Sequence, residues 1–99
     1  MDDPARNAVR MPGPAPRPKT AQSDAHSRFG ANLARLRAEL GYTQEQASVE
    51  CQMPRAYYAD VERGGRNIGL KNIVRICEAL KIDPVELFDG VVKKPRRRR

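Results

Sequence analysis

Tryptophan is absent, histidine occurs once (His26), and the two cysteines, Cys51 and Cys77, lie 26 positions apart with no CxxC pair. These shortages exclude the usual zinc spacings, which need ligand pairs a few residues apart. Both cysteines fall on apolar helical stripes and read as small hydrophobes of the core, with a redox switch as the alternative. No apolar run approaches the roughly 20 residues of a membrane span. The N-terminus lacks the short apolar run of a secretory signal, so the chain is expected to stay in the cytoplasm and off membranes. No stretch alternates apolar and polar residues as a half-buried strand does. There is no paired-carboxylate constellation, no Cys–His pair with supporting context and no phosphate-binding glycine loop. Gly64-Gly65 reads as a helix stop. The expectation is a protein that is not an enzyme and carries no cofactor.

What is abundant is positive charge: 19 Lys and Arg against 12 Asp and Glu in 99 residues, a net charge of +7. A basic chain of this size points to an anionic partner. The excess is not spread evenly. Residues 24–90 hold nine basic and ten acidic side chains, whereas residues 91–99 hold Lys93, Lys94 and Arg96 to Arg99 with no acid. Residues 1–23 add Arg6, Arg10, Arg17 and Lys19 against Asp2 and Asp3. That first segment also contains Pro4, Pro12, Pro14, Pro16 and Pro18 and almost no bulky apolar residue. With nothing to bury against its ordering entropy, it reads as a disordered arm. Residues 91–99 read as a disordered basic tail, an anchor for DNA, RNA or acidic lipid without sequence preference. A function that depends on reading a particular sequence must therefore rest on individual positions between 24 and 90.

Those positions are helical in pattern. Phe29, Leu33, Leu36 and Leu40 repeat at helical spacing before Gly41, predicting a first helix over 25–40. Thr43 with Gln46 three residues on forms a capping box for a second, 44–51, which buries Ala47 and Cys51. After the turn at Gln52-Met53, Pro54 begins a third helix, 54–63, with Tyr58 and Val61 inward. A fourth, 70–80, carries Leu70, Ile73, Val74, Cys77 and Leu80 on one stripe. Asp83 as cap, Pro84 at the first position and Glu86 closing a box start a short fifth helix, whose apolar side is Val85, Leu87 and Phe88.

Two short helices joined by a tight turn inside such a bundle can present one of them to a DNA groove. The stretches FGANLARLRAELGYTQEQAS and PRAYYADVERGGRNIGLKNIVRICEALKIDPVELF, over residues 29–88, resemble the Cro and phage-repressor type of helix-turn-helix domain, the XRE family. The resemblance rests on LRxxxGxTQ, VERGxRNxxL and a helix ending in ALxID taken together. The VERGxRN portion is also similar to the controller proteins of restriction–modification systems, which are small homodimeric regulators. The resemblance implies an all-α, lambda-repressor-like five-helix bundle flanked by disordered tails, acting as a sequence-specific regulator that binds double-stranded DNA as a homodimer. It places Gln44 against the DNA backbone and Thr43 where cap and phosphate contact coincide. It places Arg55, Ala56, Tyr57, Ala59 and Asp60 on the base-reading face, and Arg66 and Asn67 in a loop that approaches phosphate. It makes Arg37 and Glu62 a structural pair between the first and third helices. Val85, Leu87 and Phe88 are the expected dimer surface, with capping of the core as the alternative.

The chemistry of these residues agrees. Arg bonds guanine O6 and N7 through two parallel hydrogen bonds, and Arg55 stands at the helix end that enters the groove. Ala56 and Ala59 let the backbone come close, and their methyls can meet thymine methyls. Tyr57 can donate to phosphate or wedge against sugar. Asp60 can accept from cytosine or hold Arg63 or Arg55 in place. Two positions depart from the family: Gln52 stands where the turn usually has glycine, and Pro54 stands where the third helix usually has a Ser or Thr cap. An antitoxin-like protein, or an adaptor that uses the same scaffold for a protein partner, is the alternative reading.

Overall fold

The computed structural model describes residues 21–93, and most of the two expected tails lie outside them. Among these residues five α-helices follow in order: α1 (Asp24–Glu39), α2 (Gln44–Glu50), α3 (Arg55–Glu62), α4 (Leu70–Leu80) and α5 (Pro84–Leu87). No strand occurs among the described residues, and no helix among them is long and apolar enough to cross a membrane.

The helix starts follow from local chemistry. Ser23 Oγ accepts from the His26 N–H at 3.2 Å and opens α1. Thr43 Oγ1 accepts from the Gln46 N–H at 3.0 Å while Gln46 Oε1 accepts from the Thr43 N–H at 2.9 Å, so the α2 box closes on both sides. Asp83 Oδ1 accepts from the Val85 N–H at 2.9 Å ahead of Pro84, so Asp83 caps this helix as expected, but the box expected with Glu86 is not formed. Pro54 is the cap of α3 rather than its first helical residue, and it supplies no side-chain bond. Helix α3 thus begins without the contribution of about 1 kcal/mol that a Ser or Thr cap makes.

The helix ends share one device. After α1, α2, α3 and α4 the chain turns through a left-handed residue: Gly41, Gln52, Gly64 and Lys81 in turn. In each case the next N–H reaches back to the last turn: Tyr42 to the Arg37 carbonyl, Met53 to Ser48, Gly65 to Asp60 and Ile82 to Cys77. That is the bonding of the Schellman motif, which satisfies carbonyls the helix leaves open. Met53 and Ile82 are buried, so the same turns deliver apolar side chains to the core.

Helix α1 packs against α3 and α5, and α2 packs against α3 and α4. The fully buried side chains are Tyr58, Leu33, Ile76, Leu80, Leu87, Val61 and Cys51. Burial pushes the Cys51 thiol up to about 11, with Glu50 adding to the rise, and pushes Cys77 up as well. Both cysteines are free, and a thiol held protonated in this way is a poor nucleophile. Two expectations are corrected. The inward row of α4 runs through Ile76 and Leu80, with Ile73 and Cys77 partly covered; Leu70 is 76% exposed and Val74 is also exposed. Leu87, expected at a dimer surface, is sealed in the core, and only Val85 and Phe88 of that trio remain exposed. The packed unit also passes both expected boundaries, since Ser23 caps α1 and Val91 is buried.

Helices α1 and α3 approach closely at Gly30. A Cβ there would lie 2.3 Å from the Glu62 carbonyl oxygen and 2.5 Å from that of Val61, both rigid backbone atoms. Gly30→Ala should therefore push α1 off α3 and lower stability by about 1–3 kcal/mol, the usual penalty of overpacking, read as a shift in the urea midpoint at unchanged slope.

Candidate nucleic-acid interface

The site is built outward from Glu62, in the last turn of α3. Its side chain is 5% exposed. Arg37 of α1 donates to it twice, Nε to Oε2 at 2.6 Å and a terminal nitrogen to Oε1 at 3.0 Å. Gln44, the first residue of α2, donates its amide Nε2 to the same Oε1 at 2.8 Å. The other terminal nitrogen of Arg37 donates to the Tyr42 carbonyl at 2.9 Å, which ties in the loop between α1 and α2. Burial alone would raise the Glu62 carboxyl, but the hydrogen bonds from Arg37 and Gln44 and the Arg37 charge outweigh it and hold it below the ordinary range. Arg37 is raised in turn, chiefly by its bond to Glu62. Arg37 and Glu62 are thus joined as expected. Gln44 is drawn into the same cluster through its amide.

The outer side of α3 carries a second cluster. Asp60 is bonded by Arg63, the residue that ends α3, and by Arg66 Nε at 3.3 Å. The Arg66 guanidinium lies over the Tyr57 ring, 5.2 Å from its centroid, within the range of a cation–π contact. The Tyr57 hydroxyl accepts from Asn72 Nδ2 of α4 at 3.1 Å. Three of the expected residues, Tyr57, Asp60 and Arg66, are thereby brought into one contact group. Of the two partners proposed for Asp60, Arg63 is found and Arg55 is not; Arg66 takes the second place. Arg55 and Ala56 stand exposed in the first turn of α3, and Arg55 makes no ion pair among the described residues. Ala59 is half-buried and Tyr58 is in the core.

The loop after α3 is held from α1. Asn67 Oδ1 and His26 Nε2 are 3.2 Å apart, and His26 Nδ1 lies 2.7 Å from Ser23 Oγ. Both contacts are satisfied at once when the ring carries its proton on Nε2, donating to Asn67 and accepting from the Ser23 hydroxyl. His26 and Asn72 enter the site without having been assigned to it from sequence, whereas Arg63 was foreseen only as a partner of Asp60. Arg63 had a signal, because it follows Asp60 by three positions at the end of α3. His26 and Asn72 act across long sequence separations and leave no local pattern.

Thr43 is exposed and Gln44 half-buried at the start of α2, Arg55 and Ala56 are exposed in the first turn of α3, and Arg66 and Asn67 are exposed in the loop after it. Of these residues, Gln44 is held by Glu62 and Arg66 by Asp60 and the Tyr57 ring. Among the described residues no group of three or more His, Cys, Asp or Glu is arranged to hold a metal ion.

A family model described as "Helix-turn-helix" matches residues 33–87. The control protein C.BamHI of Bacillus amyloliquefaciens is 39% identical over 62 residues, which are 62% of this chain and 76% of that protein. The control protein C.MunI of a Mycoplasma species is 36% identical over 73 residues, 73% of this chain and 99% of that protein. Among solved structures, the restriction-modification controller protein C.AhdI from Aeromonas hydrophila superposes with a TM-score of 0.64 at 39% identity, over 67% of this chain and all of that one.

The Glu62 cluster has an acid signature. Glu62 is ionised in both the folded and the unfolded chain above the ordinary glutamate range, near pH 4.3, and there the cluster contributes in full. As pH falls through that range the unfolded chain takes the proton first, and the contribution is lost down to the lowered value of the folded state. Glu62→Gln should cost about 3 kcal/mol at neutral pH, the low end for breaking a buried pair, and should flatten the acid limb of stability, measured by urea unfolding across a pH series.

Proposed function

The chain belongs to the helix-turn-helix family of transcriptional regulators, and from that premise we propose that it binds double-stranded DNA sequence-specifically as a homodimer, with α3 in the major groove. The observation that carries this reading is the exposed first turn of α3, where Arg55 makes no ion pair among the described residues and is followed by the small Ala56. An Arg in that position has its guanidinium edge available for guanine O6 and N7, a contact worth about 1–3 kcal/mol of discrimination. In this reading Thr43, Gln44, Arg66 and Asn67 set the register on the backbone, Tyr57 meets sugar or phosphate, and Ala56 and Ala59 admit thymine methyls. Asp60 contributes mainly by holding Arg63 and Arg66, since its carboxylate oxygens are already engaged.

One short helix reads only a few base pairs. Two copies on half-sites about 34–36 Å apart would double the contact. Val85 and Phe88, three residues apart at α5 and both exposed, are the proposed centre of the dimer surface. Phe88 packs on Phe29 with ring centroids 5.3 Å apart, so it is presented on a rigid support. The residues around the globule supply affinity: the six cations of 91–99 should strengthen binding to any duplex through counterion release.

Selection of bound fragments from random duplex DNA tests the reading. A pair of half-sites should be enriched, and should remain so when residues 93–99 are deleted, while all affinities fall together and the salt dependence becomes shallower. Arg55→Ala should lose preference at one base position in each half-site and keep the rest; unaltered preference in that variant would remove α3's first turn from base reading. Val85→Asp should convert the sedimenting species from dimer to monomer and leave the helical circular dichroism unchanged.

A further inference from the structure

The start of α1 is fastened to the loop that follows α3 in two separate ways. The first grips the loop's backbone. The Gln22 backbone N–H donates to the Gly64 carbonyl at 2.7 Å, and the Gln22 side-chain Nε2 donates to the Gly65 carbonyl at 3.2 Å. Gly64 lies so close to α1 that a Cβ on it would fall 2.8 Å from Ser27 Cα. The second grips one side chain. His26 Nε2 stands 3.2 Å from Asn67 Oδ1, while His26 Nδ1 faces Ser23 Oγ at 2.7 Å. The backbone of the loop thus has its own fastening, and what the imidazole adds is a hold on the Asn67 carboxamide.

A carboxamide has two chemically opposite ends: its oxygen only accepts and its nitrogen only donates. Unheld, it turns about its last bond and presents either end, because that torsion is broad and roughly two-fold. In Asn67 the oxygen is the end turned to His26. Two acceptors meet at hydrogen-bond distance only with a proton between them, so the ring carries its proton on Nε2. Its Nδ1 then accepts from the Ser23 hydroxyl. That hydroxyl is placed in turn, since Ser23 Oγ also accepts from the His26 backbone N–H at 3.2 Å as the cap of α1. A chain of bonds therefore runs from the helix cap through the imidazole to an exposed residue of the loop.

Resting on the reading of α3 and its following loop as the DNA face, we propose that His26 is a positioning residue for DNA binding: it keeps the Asn67 oxygen turned to α1, so that the amide N–H groups are the end offered to a duplex phosphate. The anionic oxygens of a phosphate only accept, and a carboxamide turned the other way would meet them with its own oxygen. Setting the amide before the duplex arrives removes the cost of immobilising it on binding. The contact is to the backbone of the duplex and acts alike on every sequence.

The test uses the full chain. His26 is the only histidine, so its ring nitrogens can be observed by NMR without overlap, and in the free protein they should report the proton on Nε2. Binding to a duplex from the selection is then compared among variants. Asn67→Ala should weaken it about tenfold per half-site, the worth of one hydrogen bond to a charged group. His26→Asn keeps a polar group beside Ser23 but is too short to reach Asn67, and it should lose about 2–10-fold, the cost of fixing one side chain. His26→Gln, whose amide nitrogen falls near the place of Nε2, should recover most of that loss. The double variant His26→Asn with Asn67→Ala should be no weaker than Asn67→Ala alone, because the ring acts through Asn67; a residue that only supported the fold would add its own loss. Base preference should be unchanged throughout. The role of His26 is overturned, with the reading of Asn67 left standing, if His26→Asn binds like wild type while Asn67→Ala does not, if the two losses add, if His26→Gln behaves like His26→Asn, or if the free ring carries its proton on Nδ1. Wild-type affinity in Asn67→Ala, or a wild-type chain that binds no duplex, removes the phosphate contact on which that role rests.

Discussion

Glu62 is a carboxylate that has been taken out of water, and such a group is tolerated only when its lone pairs are filled. Here three donors fill them: two nitrogens of Arg37 and the amide of Gln44. The donors come from α1 and from the first residue of α2, so the cluster is complete only when α1, α2 and α3 are all in place. The backbone of the same residue is fixed from the other side, because its carbonyl oxygen sits where a side chain on residue 30 would have to go. One residue is thus gripped by its side chain and by its main chain, and the C-terminal end of α3 has little freedom. The opposite end, without a capping side chain and with Arg55 and Ala56 exposed, is where α3 meets its surroundings.

The two acids of α3 divide the labour of the surface. Glu62 faces inward and orders the helices; Asp60 faces outward and orders the arginines. Through Arg66, Tyr57 and Asn72, the outward cluster connects α3 to its following loop and to α4. Residues 24–90 are close to electrically neutral, while the segments on either side carry the excess of Lys and Arg. On the proposed reading this separates two tasks: the globule discriminates by placing a few donors, and the flanking cations supply attraction common to all duplexes.

Much of the fold was legible because it is set by short-range chemistry. The Thr43–Gln46 box, Asp83 before Pro84, and glycine after α1 and α3 mark helix ends within four or five residues of themselves, and each stands as expected. The inward faces of α1, α2 and α3 follow from spacing in the same way, except that Leu40, the last of the row begun at Phe29, is exposed. The face of α4 does not, because Leu70, Ile73, Val74, Ile76, Cys77 and Leu80 offer two overlapping apolar rows. Which row turns inward is decided by α2, against which α4 packs. Leu87 departs from expectation for a related reason: a four-residue helix has too little length for periodicity to show which of Val85, Leu87 and Phe88 points to the core. Within the site, Arg37 with Glu62 was accessible through resemblance and Asp60 with Arg63 through helical spacing. His26 with Asn67, Tyr57 with Asn72 and Gln22 with the Gly64-Gly65 turn join residues 15 to 43 positions apart, and only the folded chain brings them together.

The four left-handed turns are not equally comfortable. Gly41 and Gly64 adopt that backbone freely, whereas Gln52 and Lys81 hold it with a side chain attached, at about 1–2 kcal/mol each. For a chain of this size such amounts are a large part of the margin between folded and unfolded, and in a cell they translate into several-fold differences in how much protein survives proteolysis. Both residues are exposed, and neither is among the residues of the proposed DNA surface. A regulator built this way can change its copy number by exchanging a residue at a helix end while every group that chooses its target stays where it was. Dosage and discrimination can then drift under separate selection.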